Sequence, residues 1–476
     1  MDIYTLLAVL CYFTILLTIG IFSYRTHLSA NDFIIGGRSM NYWLTALAAH
    51  ASDMSSWIFM AYPAYIFTGG LFHAWAAIGL LLFMFLNWQL IAPKVRVATE
   101  AYNSLTFSSF FEHRLADTSG AIRIFTALMS LFFYTIYISA GFVGLGLLVE
   151  NLFHIHYIIG ILIGILLVVP YVFTGGYATL AWIDLFQGVF LLCVLLFVPL
   201  YLLPLAGGWS SIVQNGASHS LPLTLLPDFS TQTWLMIVEM GAGWGLGYFG
   251  QPHIITKFMG IKNIGEIAKS KWIGMSWMLL SLSAATFVGL ISIAYFSKGI
   301  ADPERVFIEM VRESFPAFIV GFLLCAILAA TINVMCSQIL VLSSSLTEDF
   351  YKKIFRPTAS SRELLAAARV GILLITALAF LIAAAKLSTI YSLVLYAWSG
   401  LGASFGPLLL LSLYSKKINK YGAWCGILSG GLLAAFWPSL NKFLPFPLPA
   451  LLPSFFCSFI SILLVSHWTR FSKRKA

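Results

Sequence analysis

Long apolar runs separated by short polar segments fill the chain. Thirteen of them, at roughly 4–24, 41–69, 71–93, 122–148, 157–174, 180–204, 232–258, 273–297, 315–345, 364–385, 388–414, 422–440 and 448–467, are long enough to predict membrane spans. A helix needs about 20 apolar residues to cross about 30 Å of hydrocarbon at about 1.5 Å per residue. The runs lack the alternating ten-residue pattern of an outer-membrane barrel. The predicted fold class is an all-α polytopic membrane protein, with its termini on opposite sides.

Two runs break the apolar pattern. Ala48 to Trp57 carries Asp53, three serines and several alanines where a plain spanning helix would carry Leu and Phe. An acid at membrane depth costs about 2.5–3.5 kcal/mol on insertion scales, and such residues mark sites by default. Five spans later, Gly241 to His253 holds five glycines and Pro252 in thirteen residues. Relative to Ala, Gly costs about 1 kcal/mol and Pro about 3 kcal/mol in a helix interior. Interrupted spans at corresponding places mark inverted-repeat transporters. The spacing predicts a five-plus-five inverted repeat, 41–204 and 232–414. Residues 1–40 add a first helix and a cytoplasmic loop, and 422–467 add two C-terminal helices. Close helix packing by small residues is the other reading of the glycine-rich stretch. Trp244 and Tyr248, four apart, share one face wherever helix persists and suit an apolar slot.

Composition agrees with the pattern. Of 476 residues, 60% are hydrophobic and only 9% charged, which excludes an ordinary soluble domain. The net charge of +9 would suggest nucleic acid in a soluble chain. Here 21 of the 27 basic residues, Arg25, Arg38, Lys257 and Lys262 among them, fall on one set of predicted loops. The positive-inside rule then places the N-terminus outside and the C-terminus in the cytoplasm, with no nucleic-acid partner. The six cysteines lie in apolar runs without metal-type spacing, so neither disulfides nor a metal cluster is expected. The first run lacks the flanks of a cleaved signal and reads as a retained helix. The tail after Thr469 is short, and no signalling domain is expected there. No nucleophile–base pair or phosphate loop points to an enzyme.

The motifs Gly36–Ser39, Ala51–Ser55, Trp75–Gly79, Gly243–His253, Ala326–Ala330, Ser343–Asp349 and Tyr396–Gly400 to Pro407 together resemble the solute:sodium symporter family over about residues 10–440. The Gly243–His253 text is similar to its proline-type members. The resemblance implies a leucine-transporter-like fold in the inner membrane and inward transport of L-proline, or a close relative, driven by Na⁺, with no other cofactor. It makes Asp53 the acid needed for Na⁺ affinity. It implies a cation site from Ala51, Asp53, Met54, Ser55, Ala330, Asn333 and Val334. It implies a solute site from Trp57, Tyr137, Trp244, Tyr248 and Pro252, with Gly321 and Cys325 nearby. Arg38 and Asp184 match polar positions that influence transport from the cytoplasmic side.

The chain departs from the family pattern in the ninth span. Two hydroxyl residues are expected to complete the cation site there, and this chain has Asn333 and Val334. Asn333 can offer its amide oxygen, whereas Val334 has no side-chain donor. That leaves Na⁺ or H⁺ as the coupling ion, or a transporter that needs no cation. A solute sensor and a passive channel are the competing classes. His50 reads as a packing residue. Glu348 and Asp349 are expected to pair with Lys352 and Lys353 at helical spacing.

Overall fold

The computed structural model describes residues 3–23, 30–444 and 448–475; Arg25 lies outside them. Among the described residues the chain is helical and has no strand, only one isolated bridge from Met40 to Ile261. Among the described residues, ten helices are long and apolar enough to cross a membrane.

The main helices in chain order are α1 (Ile3–Ser23), α2 (Tyr42–Ala51), α3 (Ala61–Gly69), α4 (Trp75–Leu86), α5 (Ala121–Phe153), α6 (Tyr157–Leu205) and α7 (Thr231–Gly245). They continue with α8 (Pro252–Met259), α9 (Ile267–Tyr295), α10 (Ala317–Ser345), α11 (Ser361–Ala384), α12 (Ile390–Tyr414), α13 (Lys420–Leu440) and α14 (Leu451–Lys475). Both predicted interruptions are present. The first run is split into α2 and α3, and the second into α7 and α8.

The α6 segment doubles back. At about 1.5 Å per residue, a straight helix of this length would be more than twice the thickness of the hydrocarbon core. Its contacts forbid that. Tyr157 donates to the carbonyl of Ala383 at the end of α11 (3.0 Å), while Tyr177 reaches the carbonyl of Lys257 (3.3 Å). Further on, Gly188 faces Leu47 and Ala51, and Tyr201 packs on Phe315 at the start of α10. The chain thus goes down to Tyr177 and returns, as the two predicted runs 157–174 and 180–204 require.

The glycine-rich stretch serves both expected purposes. A Cβ on Gly79 of α4 would lie 2.2 Å from the Gly241 carbonyl oxygen, and one on Gly245 would lie 2.1 Å from the Phe83 ring. Helices α4 and α7 therefore touch backbone to backbone. Beyond Gly245 the chain unwinds into a tight turn, Leu246–Gly250, pressed on α12 at Gly402 and Gly406.

These approaches are testable. Overpacking a core costs about 1–3 kcal/mol when neighbours can shift, and at Gly79 the neighbour is backbone. Gly79→Val should lower the yield of monodisperse protein in detergent at least about fivefold. Gly265→Ala, in open space, should leave it unchanged.

Candidate functional site

The first break begins where α2 ends at Ala51. Ser52 caps it by donating from its hydroxyl to the Ala48 carbonyl. Ser55 has a positive φ of 43°, a conformation that costs about 1–3 kcal/mol for such a residue. Its hydroxyl accepts from the Trp57 N–H at 3.2 Å. The Met54 carbonyl accepts from the Ile58 N–H at 3.2 Å, which leaves it a second lone pair.

Neighbouring helices satisfy the second break. The Trp398 indole donates to the Trp244 carbonyl (2.7 Å), Asn87 to the Tyr248 carbonyl (3.1 Å), and Gln251 to the Trp398 carbonyl (3.2 Å). The His253 N–H, at the start of α8, donates to the Tyr134 hydroxyl (2.9 Å). In lipid an unwound backbone persists only where protein groups take up its hydrogen bonds.

The two breaks meet. The Tyr248 hydroxyl donates to the Asp53 carboxylate at 2.5 Å, and both residues are buried. Beside this contact lies a cavity lined by Asp53, Met54, Trp57, Leu80, Tyr137, Trp244, Tyr248, Val394 and Trp398. Trp57 and Trp244 rings are 5.2 Å apart, and Tyr248 meets Trp398 edge-on at 5.0 Å. Trp244 donates to the Tyr391 hydroxyl (3.3 Å), and Tyr391 stacks on Tyr65. The result is an aromatic box with one carboxylate. It suits a compact aliphatic body carrying a positive amine.

Four predicted solute residues, Trp57, Tyr137, Trp244 and Tyr248, line this cavity together with Asp53 and Met54 from the cation set. The other three do not. Pro252 lines a separate cavity, with Thr106, Ser108, Thr126, Ser130, Ser344 and Ser345. Gly321 faces Thr5 and Ala8 of α1. Cys325, one turn on, lies on the same helix face beside Cys11. The rotation of α10 turns Gly321 and Cys325 toward the N-terminal helix.

On α10, Ala330, Asn333 and Val334 are all buried. Neither polar atom of the Asn333 amide has a well-formed hydrogen bond, although the amide lies alongside the Asp184 carboxylate. Ser337, one turn below, has an unpartnered hydroxyl. Gly188, one turn from Asp184 on α6, faces Ala51. Asp184 therefore sits under the first break, next to Asn333. It accepts from the Lys257 ammonium at 2.9 Å. Lys257 was expected on a loop; it is buried in α8.

Arg38 ties three segments together beyond the end of α8. Its guanidinium donates to the carbonyls of Met259 (2.9 Å), Thr99 (3.0 Å) and Ser104 (3.0 Å). Lys352 pairs with Glu348 as expected (2.9 Å). Asp349 instead takes hydrogen bonds from Ser108, Thr106 and Ser345 and faces Arg123, while Lys353 pairs with Glu112 (3.2 Å). His50 accepts from the Trp88 indole (3.0 Å) and lies between Trp88 and Trp277. The sequence reading missed Trp398, Tyr391 and Lys257. The first two are aromatics in a twelfth helix with no local break to flag them.

The profile of the Sodium:solute symporter family matches residues 33–430. The high-affinity proline transporter PutP of Bacillus subtilis is 40% identical over 461 residues, 96% of each chain. Sodium/proline symporter 2 of Staphylococcus saprophyticus is 39% identical over 481 residues, covering 98% of this chain and 93% of its own. The chain belongs to the sodium:solute symporter family. Its members are transporters rather than enzymes. A solved Na⁺-coupled sialic acid symporter, 16% identical, superposes with a TM-score of 0.82 over 98% of both chains. MhsT, solved with L-phenylalanine, gives 0.57 at 14% identity, covering 89% of this chain and 97% of its own. This symporter thus has a leucine-transporter-like fold, and the joined breaks are its central feature.

The Asp53–Tyr248 contact should be energetically coupled. Hydrogen bonds to a charged group are worth about 1.5–3 kcal/mol. Thermal unfolding of Asp53→Asn, Tyr248→Phe and the double variant should show a coupling of at least about 1 kcal/mol. Additive effects would mean that the contact does not join the breaks.

Proposed function

We propose that this chain is a cell-membrane symporter that imports L-proline with Na⁺ by alternating access. The observation that carries the reading is the box between the two breaks, with Asp53 as its one carboxylate and Trp57, Trp244 and Tyr248 as its walls. A five-membered aliphatic ring with a secondary ammonium matches apolar walls plus one acid. The relatives named for proline transport support that choice. The cavity residues come from both proposed repeats, 41–204 and 232–414, so rocking one against the other would expose the site to each side in turn.

Thirteen crossings are proposed. The ten long helices are joined by the two split spans and by Tyr157–Pro170, the descending arm of α6. The basic-residue bias then puts the N-terminus outside and the C-terminus in the cytoplasm.

Na⁺ would be held where α2 unwinds, by the carbonyls of Ala51 and Met54 and the Ser55 hydroxyl, with Ala330 and Asn333 across from them. Asp53 supplies negative charge nearby. The unsatisfied Asn333 amide suits an oxygen-donor role, because a buried polar atom without a partner costs about 1–3 kcal/mol. Val334 contributes no oxygen. A tenfold Na⁺ gradient supplies about 1.4 kcal/mol, and each charge moved down 100 mV adds about 2.3 kcal/mol. One cation per solute therefore suffices for useful accumulation.

Proteoliposomes with an inward Na⁺ gradient should accumulate labelled proline. Equal uptake with choline in place of Na⁺ would overturn Na⁺ coupling and favour H⁺. Trp244→Ala should raise the proline KM about tenfold, the loss expected when an aromatic wall worth roughly 1.5 kcal/mol is removed. Val334→Ser should lower the Na⁺ concentration for half-maximal uptake several-fold, about the worth of one added hydrogen-bonding oxygen. An unchanged value would mean that the missing hydroxyl was never limiting.

A further inference from the structure

The Asp184–Lys257 pair is the most buried ion pair among the described residues, with side-chain exposures of 2% and 4%. Its ammonium also lies 5.2 Å from the centre of the Tyr177 ring. The pair bridges two elements that a transport cycle must separate. Lys257 belongs to α8, the inner half of the second broken helix. Asp184 belongs to the ascending arm of α6, one turn below the residue that packs on Ala51.

The remaining hydrogen bonds on α8 and the segment after it run mostly to backbone atoms, apart from the Tyr134 hydroxyl on the His253 ring (3.1 Å). Tyr177 and Arg38 donate to carbonyls of Lys257 and Met259. Arg96 donates to the Ile261 carbonyl (2.7 Å), and Met40 exchanges backbone hydrogen bonds with Gly260 and Lys262. Only Lys257 joins α8 to α6 by charge. The opposite side of α8, at Pro252 and Thr256, borders the hydroxyl-lined cavity toward the cytoplasm. Movement of α8 away from α6 and α10 would connect that cavity with the space below the first break.

A buried carboxylate needs a positive partner, and Asp184 has one built into the chain. The Asn333 amide touches this pair from α10, and the Cys336 thiol lies beside both charges. We propose that Lys257 is the resident counter-cation of Asp184 and that the pair is the latch holding α8 shut over the inner path. Lys257 is thus a positioning residue for the transport cycle, and Asn333 is the contact through which the cation region senses the latch. This rests on the alternating-access reading for its meaning, but the latch itself can be measured without solute or Na⁺.

Cys336 is buried and is a built-in reporter. Cys11, Cys193, Cys325, Cys425 and Cys457 are replaced by Ala, and alkylation of Cys336 by N-ethylmaleimide is timed in the purified full chain. Lys257→Gln and Asp184→Asn should each speed alkylation at least tenfold. The neutral double variant, which keeps shape and leaves no lone buried charge, should be equally fast. Lys257→Arg keeps the charge and should stay within about threefold of the parent. Parental rates in the double variant, or equal acceleration by Lys257→Arg and Lys257→Gln, would overturn the latch. Failure of Na⁺-driven proline uptake would count against the transport reading and leave these rates untouched.

Discussion

The hydrogen bond from Tyr248 to Asp53 is the contact on which the arrangement depends. Each helix break is expensive alone. The first holds a carboxylate and a strained Ser55 inside the membrane, and the second discards most of a helical turn. Brought together, each answers the other's cost: the acid gains a donor and the unwound turn gains an anchor. The surrounding helices complete the work with side chains that reach its backbone atoms, notably Trp398 and Asn87, while Gln251 of the break itself donates to the Trp398 carbonyl. The cavity is what remains between two segments that cannot close into regular helix.

Below that cavity the structure is polar and paired. Asp184 faces Lys257, Asp349 faces Arg123, and Arg38 collects three carbonyl groups. Removing one partner of a buried ion pair typically costs about 3–5 kcal/mol, so these contacts make a firm seal. Above the cavity the closure is thinner, an aromatic roof of Trp244, Tyr391 and Tyr65.

Much of this was legible in the chain. Both breaks follow from composition, because an acid among serines and five glycines with a proline cannot continue a helix cheaply. Tyr137, Trp244 and Tyr248, which the family resemblance singles out, line one cavity. Orientation around α10 was not legible. Nothing in its sequence shows that Gly321 and Cys325 turn toward α1 while Asn333 turns toward Asp184. Pro252 opens α8 and so lies beyond the break, although it follows Tyr248 by only four residues. Lys257 misled for a physical reason: a lysine near a span end ordinarily reaches water, and only the fold reveals the carboxylate that keeps it inside.

The joined breaks should act as one site in which cation and solute support each other. Equilibrium binding of labelled proline to the purified chain in detergent, in Na⁺ and in choline, tests this without gradients or gates. Na⁺ should tighten proline binding at least about tenfold, a coupling of about 1.4 kcal/mol, and Asp53→Asn should abolish the difference. Equal proline affinity in the two salts would contradict a shared site.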